Sequence, residues 1–323
     1  MASDASDCIV CGTCTVDILV KPVDLSLPIG GGRLFEVDPI EVTTGGIVCN
    51  SGIAMRRLGL AVAAAGIVGS DVWGSVVRRR LDEEGIGSAA VESHPTQATS
   101  STAVLIDPSG ERSFAHHVGA CRVIDVAYLR RQAAEFSRAR LALVGYFGLL
   151  PALEPAIGEA VAVLRAAGCR VALETGGTGG TLATIAPALP HVDLYVPSLD
   201  EARHQTGLSD PREIMACYRG HGFRGVGGVK LGARGTLLSP RDGEFFEIPC
   251  VAAPGPVADT TGAGDSLLAG LITGILRGMP LEQAGRLGAA TAACCVTGVG
   301  ATAGLRSFDE TAALALGSTK SAG

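Results

Sequence analysis

Aromatic side chains are scarce in this chain: one Trp, four Tyr and eight Phe among 323 residues, 4% of the total. A core so poor in rings has to close over small residues, and 45 glycines supply the close approaches and tight turns that such packing needs. Charge is sparse as well, at 18%, while 47% of the residues are hydrophobic; this excludes a disordered chain. There is no basic surplus. The 26 Lys and Arg are outnumbered by 32 Asp and Glu, for a net charge of -6, which removes the electrostatic footprint of a nucleic-acid binder. The one three-residue basic run, Arg78, Arg79 and Arg80, reads as the solvated face of a helix. No membrane span is expected, because glycines and threonines interrupt the longest uncharged stretch, between Arg286 and Arg306. The opening "MASDASD" is acidic, the reverse of a secretory leader. Ten cysteines in a chain long enough to build its own core do not make a secreted scaffold. A reducing, cytoplasmic location is expected, with neither nucleic acid nor membrane as a partner.

What is present is an alternation of strands and helices. "CIVCGTCTVDIL", "LAVAAAGIVG", "ARLALVGYF", "RVALE" and "HVDLYVP" are apolar and strand-like, and "GIVCNSGIAMRRLG", "DVWGSVVRRRLDEEG" and "PAIGEAVAVLRAAG" carry helical spacing. This pattern predicts an α/β fold: a mostly parallel central sheet with helices on both faces. Two stretches break the alternation. Residues 18–44 and 91–118 read as β insertions, the second as two strands around Asp-Pro-Ser-Gly. They predict a small β lid on a large domain made of 1–17, 45–90 and 119–323. Ligands of open α/β sheets bind at such strand ends.

The first strand-like run holds Cys8, Cys11 and Cys14. The spacing resembles part of an iron–sulfur set, but no fourth cysteine and proline follow. Residues three apart on a strand face opposite ways. The three thiols are therefore expected to be structural, as small apolar residues of a doubly covered strand.

The chemistry is carried by "VADTTGAGDSLLAGLITGIL", residues 257–276. Gly262, Ala263 and Gly264 have almost no side chain, so their amides can face a ligand, and an apolar helix follows directly. A glycine turn at a helix N-terminus is an anion site. Asp265, in the same turn, would repel phosphate unless it has work of its own. The evident work is general-base catalysis on an alcohol attacking phosphorus, with the amides stabilising the transferred group. Elsewhere, "ETGGTGGT" at 174–181 lacks the Gly-Lys-Ser/Thr of a nucleotide P-loop. "GVGATAG" at 298–304 has the wrong spacing for a dinucleotide fingerprint.

"DTTGAGDSLLAG", Asp259 to Gly270, resembles without a gap the C-terminal signature of the ribokinase-like sugar kinases, also called the phosphofructokinase-B family. The resemblance extends over nearly the whole chain. It implies an ATP-dependent carbohydrate kinase with Mg2+ on the nucleotide. It further implies that Asp17, at the end of the first strand, binds sugar hydroxyls, together with Gly45, Gly46 and Asn50 of a Gly-Gly-x-x-x-Asn element. Val48 and Gly52 depart from the usual form of that element. Glu201 in "PSLDEARHQTG" would organise Mg2+ through water, although Ser198 replaces the family's asparagine. Lys230, Gly232 and Gly235 in "KLGARG" would lie beside the nucleotide. A monovalent-cation site, with K+ as the candidate ion, would use Asp259, Thr261, Cys295, Gly298 and Gly300. Ile47 stands where kinases of phosphosugars carry a lysine, which favours a neutral sugar or polyol, ribose- or fructose-like.

His116 and His117 are adjacent on the expected lid, so at most one can face the cleft; His117 is the candidate sugar contact. Phe35 and Phe114 are the only aromatics there to stack a nucleoside, which ranks a nucleoside substrate second. A non-catalytic sugar sensor is the rival of another class, with a dehydrogenase a distant third. The lid's open edges predict a homodimer formed through it.

Overall fold

The structure is a computed structural model that describes residues 5–26, 30–177 and 179–317. The first four residues of the acidic start, residues 27–29 of the first β insertion and residue 178 of the glycine-rich loop lie outside them. Among the described residues the strands are β1 (Ser6–Gly12), β2 (Thr15–Val20), β3 (Glu41–Gly45), β4 (Val62–Gly69), β5 (Gly87–His94), β6 (Ser100–Ile106), β7 (Arg112–His117), β8 (Ala139–Gly145), β9 (Arg170–Glu174), β10 (Leu194–Tyr195), β11 (Val226–Lys230), β12 (Thr236–Ser239) and β13 (Phe246–Ile248). The helices are α1 (Gly46–Arg57), α2 (Val72–Glu83), α3 (Val126–Arg131), α4 (Ala133–Phe136), α5 (Ile157–Ala166), α6 (Leu182–Ile185), α7 (Leu199–Thr206), α8 (Pro211–Gly220), α9 (Ala263–Leu276), α10 (Leu281–Cys295) and α11 (Phe308–Gly317). None is long and apolar enough to cross a membrane.

The large sheet runs β13-β12-β11-β10-β9-β8-β1-β4-β5. It is parallel from β11 to β5 and antiparallel across β11, β12 and β13. The continuous apolar runs of its middle strands follow from burial on both faces. On β1, Cys8 and Val10 join the core beneath α1, α2, α9 and α10, while Ile9 and Cys11 join the opposite core beneath α3, α5, α7 and α8. β8 repeats the division, Leu141 and Leu143 against Ala142 and Val144. Between α9 and α10 the shortage of bulk has a use. A Cβ on Gly288 would come within 2.6 Å of Leu267 O, so only a bare backbone lets the two helices approach this closely.

The cysteine run resolves in the same geometry. Cys8 and Cys11 face opposite cores as expected, but Cys14 lies off the strand, in the link to β2, where its N–H meets Cys121 Sγ at 3.3 Å. Burial pushes all three thiols up, so they stay neutral.

The second sheet, β3-β2-β6-β7, is the lid. Its boundaries differ from the expected ones. Asp17 lies on β2, inside the lid, and not at the end of a strand of the large sheet. The chain leaves the large sheet at Gly12, whose φ of +152° and 2.3 Å approach of a Cβ to Gly145 O admit only glycine. At the other end β5 stays in the large sheet to His94, so residues 91–94 are not lid. Of "GRLFEVDPIEVTT", only Glu41 onward is strand.

Candidate active site

Gly262, at φ +75°, is the N-cap of α9, and no side chain caps the turn. A Cβ there would strike Ala301 Cβ at 2.4 Å, so the sharp entry into the helix requires glycine. The Ala263 N–H turns back to Thr260 O at 3.3 Å, and the Ser266 N–H opens the helix's own bonding at Gly262 O, 2.8 Å. Of the three amides expected at Gly262, Ala263 and Gly264, the middle one is therefore engaged. Ala263 serves the turn, and the amides of Gly264 and Asp265 are the ones that precede the helix bonding.

Asp265 is 5% exposed. Its Oδ2 accepts from Asn50 Nδ2 at 2.8 Å and from the Tyr146 hydroxyl at 2.7 Å. Its own carbonyl accepts from Ser51 Oγ at 3.1 Å, which ties α1 to the start of α9. Burial raises its pKa, and the bonds from Tyr146 and Asn50 and the charge of Lys230 do not cancel the rise. Tyr146 follows β8 with φ +55°, the one non-glycine residue with positive φ among those described. Such backbone strain gathers at functional sites.

Lys230, at the end of β11, does not point to solvent. Its Nζ meets Glu174 Oε1 at 3.2 Å, with side chains 12% and 5% exposed, and would lie 3.5 Å from a Cβ on Gly264. Burial works to lower its pKa, but Glu174, Glu201 and Asp265 outweigh this and hold it raised, so it carries a full positive charge beside the turn. Glu174 is raised to about 7, by burial first and then by Glu201 and Asp265, against the pull of Lys230. Its Oε2 is a buried acceptor with no hydrogen-bond partner among the described residues.

Glu201 closes a capping box on α7. Its Oε2 accepts from Ser198 N at 2.6 Å, and its N–H reaches Ser198 Oγ at 3.3 Å. A serine in place of asparagine suits that N-cap. Burial works to raise the Glu201 pKa, but the charge of Lys230 and the hydrogen bonds from Ser198 hold it lowered. Gly232 and Gly235 form the turn from β11 to β12. A Cβ on Gly235 would collide with Ile248 O at 2.1 Å, which explains this glycine by packing alone.

A cavity of about 260 Å³ lies between the lid and the segments around the start of α9, where Thr261, Gly300 and Ala301 line it. Strand alternation selects its lining: Thr15, Asp17 and Leu19 from β2, Thr102 and Val104 from β6, and Arg112, Phe114 and His116 from β7. Asp17 pairs in register with Thr102, and Thr102 with His116. The Asp17 carboxylate occupies the space where a Cβ of Gly45 would be, 2.1 Å from Oδ2. Burial raises its pKa against a bond from Thr102. Gly46 and Asn50 line the opposite wall, and Asn50 Oδ1 is buried without a partner. His117 is corrected to His116: parity along β7 sends His116 to the cavity, its Nδ1 3.0 Å from Thr102 Oγ1, and His117 away from it.

The set expected around a monovalent cation is gathered, and the oxygens of Asp259, Thr261 and Cys295 within it accept hydrogen bonds. Asp259 Oδ1 accepts from Thr261 N at 2.7 Å and Oδ2 from Gly300 N at 2.6 Å. Arg112 of β7 pairs with Asp259 Oδ1 at 2.6 Å and bonds Thr261 Oγ1. The Cys295 Sγ–H lies within reach of Ala301 O at 3.2 Å and Thr261 O at 3.4 Å and donates to one of them at a time, and Gly298 N donates to Cys295 O. Sequence reasoning missed Arg112, Tyr146 and Glu174. Arg112 and Glu174 had a signal, each being a charged residue at the end of its strand; Tyr146 had none.

The pfkB family carbohydrate kinase model matches residues 5–307. The chain belongs to this family and is a carbohydrate kinase, a phosphotransferase with an alcohol acceptor. Ribokinase of Haemophilus influenzae is 27% identical over 286 residues, covering 84% of this chain and 87% of that protein. A 1-phosphofructokinase of Haloferax volcanii is 30% identical over 282 residues, covering 85% and 86%. Arabidopsis thaliana ribokinase, solved with ribose and ATP, superposes with a TM-score of 0.82 at 22% identity, covering 96% and 99%. That likeness shows the same fold.

Proposed function

We propose that this kinase transfers the γ-phosphoryl group of ATP to a primary hydroxyl of a neutral sugar or polyol, ribose- or fructose-like. The observation that carries this reading is the placement of Asp265. It stands behind Asn50 and Tyr146 at the cavity wall, with both hydrogen bonds on Oδ2. Oδ1 remains for the proton of the attacking alcohol. The Gly264 and Asp265 amides and Lys230 supply the positive end for the charge on the transferred group. Asp17, Asn50, Gly46 and His116 hold the acceptor beneath the lid, and the lid excludes water from it. ATP lies along the β11–β12 edge, by Lys230, Gly232 and Gly235. Mg2+ would arrive with ATP and neutralise its phosphates; the ionised Glu201, through water, and the orphaned Glu174 Oε2 suit that charge.

A neutral acceptor is supported by the cavity's charge. Ile47 is fully buried in the core, and Arg112 is committed to Asp259, so among the described lining residues no unpaired arginine or lysine awaits a substrate phosphate. ADP release from ATP, screened over pentoses, hexoses, polyols, nucleosides and sugar phosphates, tests the reading. A neutral sugar should give the highest kcat/KM. Fructose 1-phosphate as best acceptor would reject the neutral class, and a nucleoside would point to stacking on Phe114. Sugar binding with no ADP release would mark a sensor. Asp17→Asn should raise KM for the acceptor roughly 10- to 100-fold, the worth of a hydrogen bond to a charged group, with a smaller change in kcat.

The lid also exposes Val42, on the edge strand β3, at 48%, and Ile40, just before it, at 57%. A second copy laid lid to lid would cover them. Solution scattering at micromolar protein should give a dimer, and a monomer would refute this arrangement.

A further inference from the structure

We propose that Arg112 is the resident cation of the phosphoryl-transfer turn, a positioning residue that the lid carries to the place a monovalent ion would otherwise take. This rests on the kinase reading above. Asp259 is a carboxylate whose side chain is 1% exposed. Its pKa is held low: burial works upward, but Arg112 and the Thr261 and Gly300 amides outweigh it. A buried charge needs a counter-ion, and here it comes from another sheet. Through Asp259, one guanidinium fixes Thr261, which precedes Gly262, and Gly300, which precedes the Ala301 that packs on Gly262. A metal ion in the same place would have to displace the guanidinium from Asp259 and Thr261 Oγ1 and share the Thr261 carbonyl with the Cys295 thiol.

The consequence is a coupling of lid to turn. Arg112 lies in line with Phe114 and His116 on the face of β7 that covers the acceptor cavity. The turn that precedes Asp265 therefore has one of its fastenings, the Arg112 pair with Asp259 and Thr261, on the lid. Lid opening then admits water and loosens the catalytic turn by the same movement, which suppresses idle ATP hydrolysis.

Three measurements test this, two of them independent of turnover. In the wild type, replacing choline chloride by KCl at equal ionic strength should change neither Tm nor amide exchange at Thr261 and Gly300; a K+-specific gain in either would overturn the proposal. In Arg112→Ala those two amides should exchange at least tenfold faster, with core amides unchanged, and added guanidinium chloride or KCl should slow them again. Unchanged exchange would overturn it. Arg112→Lys, which keeps a cation, should retain most of the protection, and serves if the alanine variant does not fold. With ATP and the best acceptor from the screen, Arg112→Ala should lose about 10- to 100-fold in kcat, as misplaced catalytic groups do, and gain K+ stimulation. A rise in acceptor KM alone would make Arg112 a substrate contact and overturn the proposal. If no acceptor is turned over, the kinase reading fails, while the exchange data still decide the role of Arg112.

Discussion

Asp265→Asn leaves a folded protein that phosphorylates its acceptor roughly 10²- to 10⁴-fold more slowly, the usual cost of losing a general base. The substitution keeps shape and, at the amide oxygen, an acceptor for Asn50 Nδ2 and the Tyr146 hydroxyl, both of which now meet Oδ2. Stability should not fall. The native carboxylate is buried near Glu174 and Glu201, and its raised pKa states that the charged form is disfavoured there; removing the charge relieves that cost. Tm should therefore hold or rise while kcat collapses. The pH profile adds a second signature. A base works only when deprotonated, so the wild-type rate should climb with pH along an acid limb. Burial places that limb above the ordinary aspartate value of 3.8. The limb should vanish in the asparagine variant. A variant that keeps the native rate, or the same acid limb, would remove Asp265 from the chemistry.

The parts of this site legible in the sequence are those in which neighbours along the chain are neighbours in space. The glycine turn and Asp265 form one uninterrupted segment, and a glycine-rich entry to a buried helix has few other uses. The alternating apolar strands gave the doubly covered sheet for the same reason. What sequence reading lost depends on contacts between distant elements. Arg112 and Asp259 are 147 positions apart, and nothing local to either marks the other. Tyr146 reaches Asp265 from the end of β8, and Glu174 reaches Lys230 from β9. The lid boundary was lost because "CIVCGTCTVDIL" reads as one continuous β-rich run, although the chain changes sheets within it; Gly12 was the available signal. His117 was chosen over His116 for want of a fixed parity, which the cavity-facing Arg112 and Phe114 supply.

The second large effect is expected at Lys230. Lys230→Met removes the one positive charge among Glu174, Glu201 and Asp265, and both activity and stability should suffer, each with its own signature. For activity, the turn at Gly264 loses its adjacent cation. Loss of one such stabilising group costs on the order of 10²-fold in kcat. For stability, breaking a buried ion pair typically costs about 3–5 kcal/mol because the partner is left charged and alone. Glu174 has an escape, since it can take up a proton, and this sets the pH dependence. Its folded-state pKa is already raised from 4.5 to about 7. A carboxyl raised on folding contributes stability below its unfolded value and loses it as pH rises through the folded value. In the wild type that loss levels off near neutrality, where Lys230 accommodates the charge. Without Lys230 the folded-state value moves higher still, so the loss continues past pH 7. Thermal unfolding should therefore show the variant closest to wild type near pH 5 and progressively worse at pH 8. Glu174→Gln in the Lys230→Met background should flatten that slope. A deficit independent of pH would show that Glu174 and Lys230 are not the coupled pair described here.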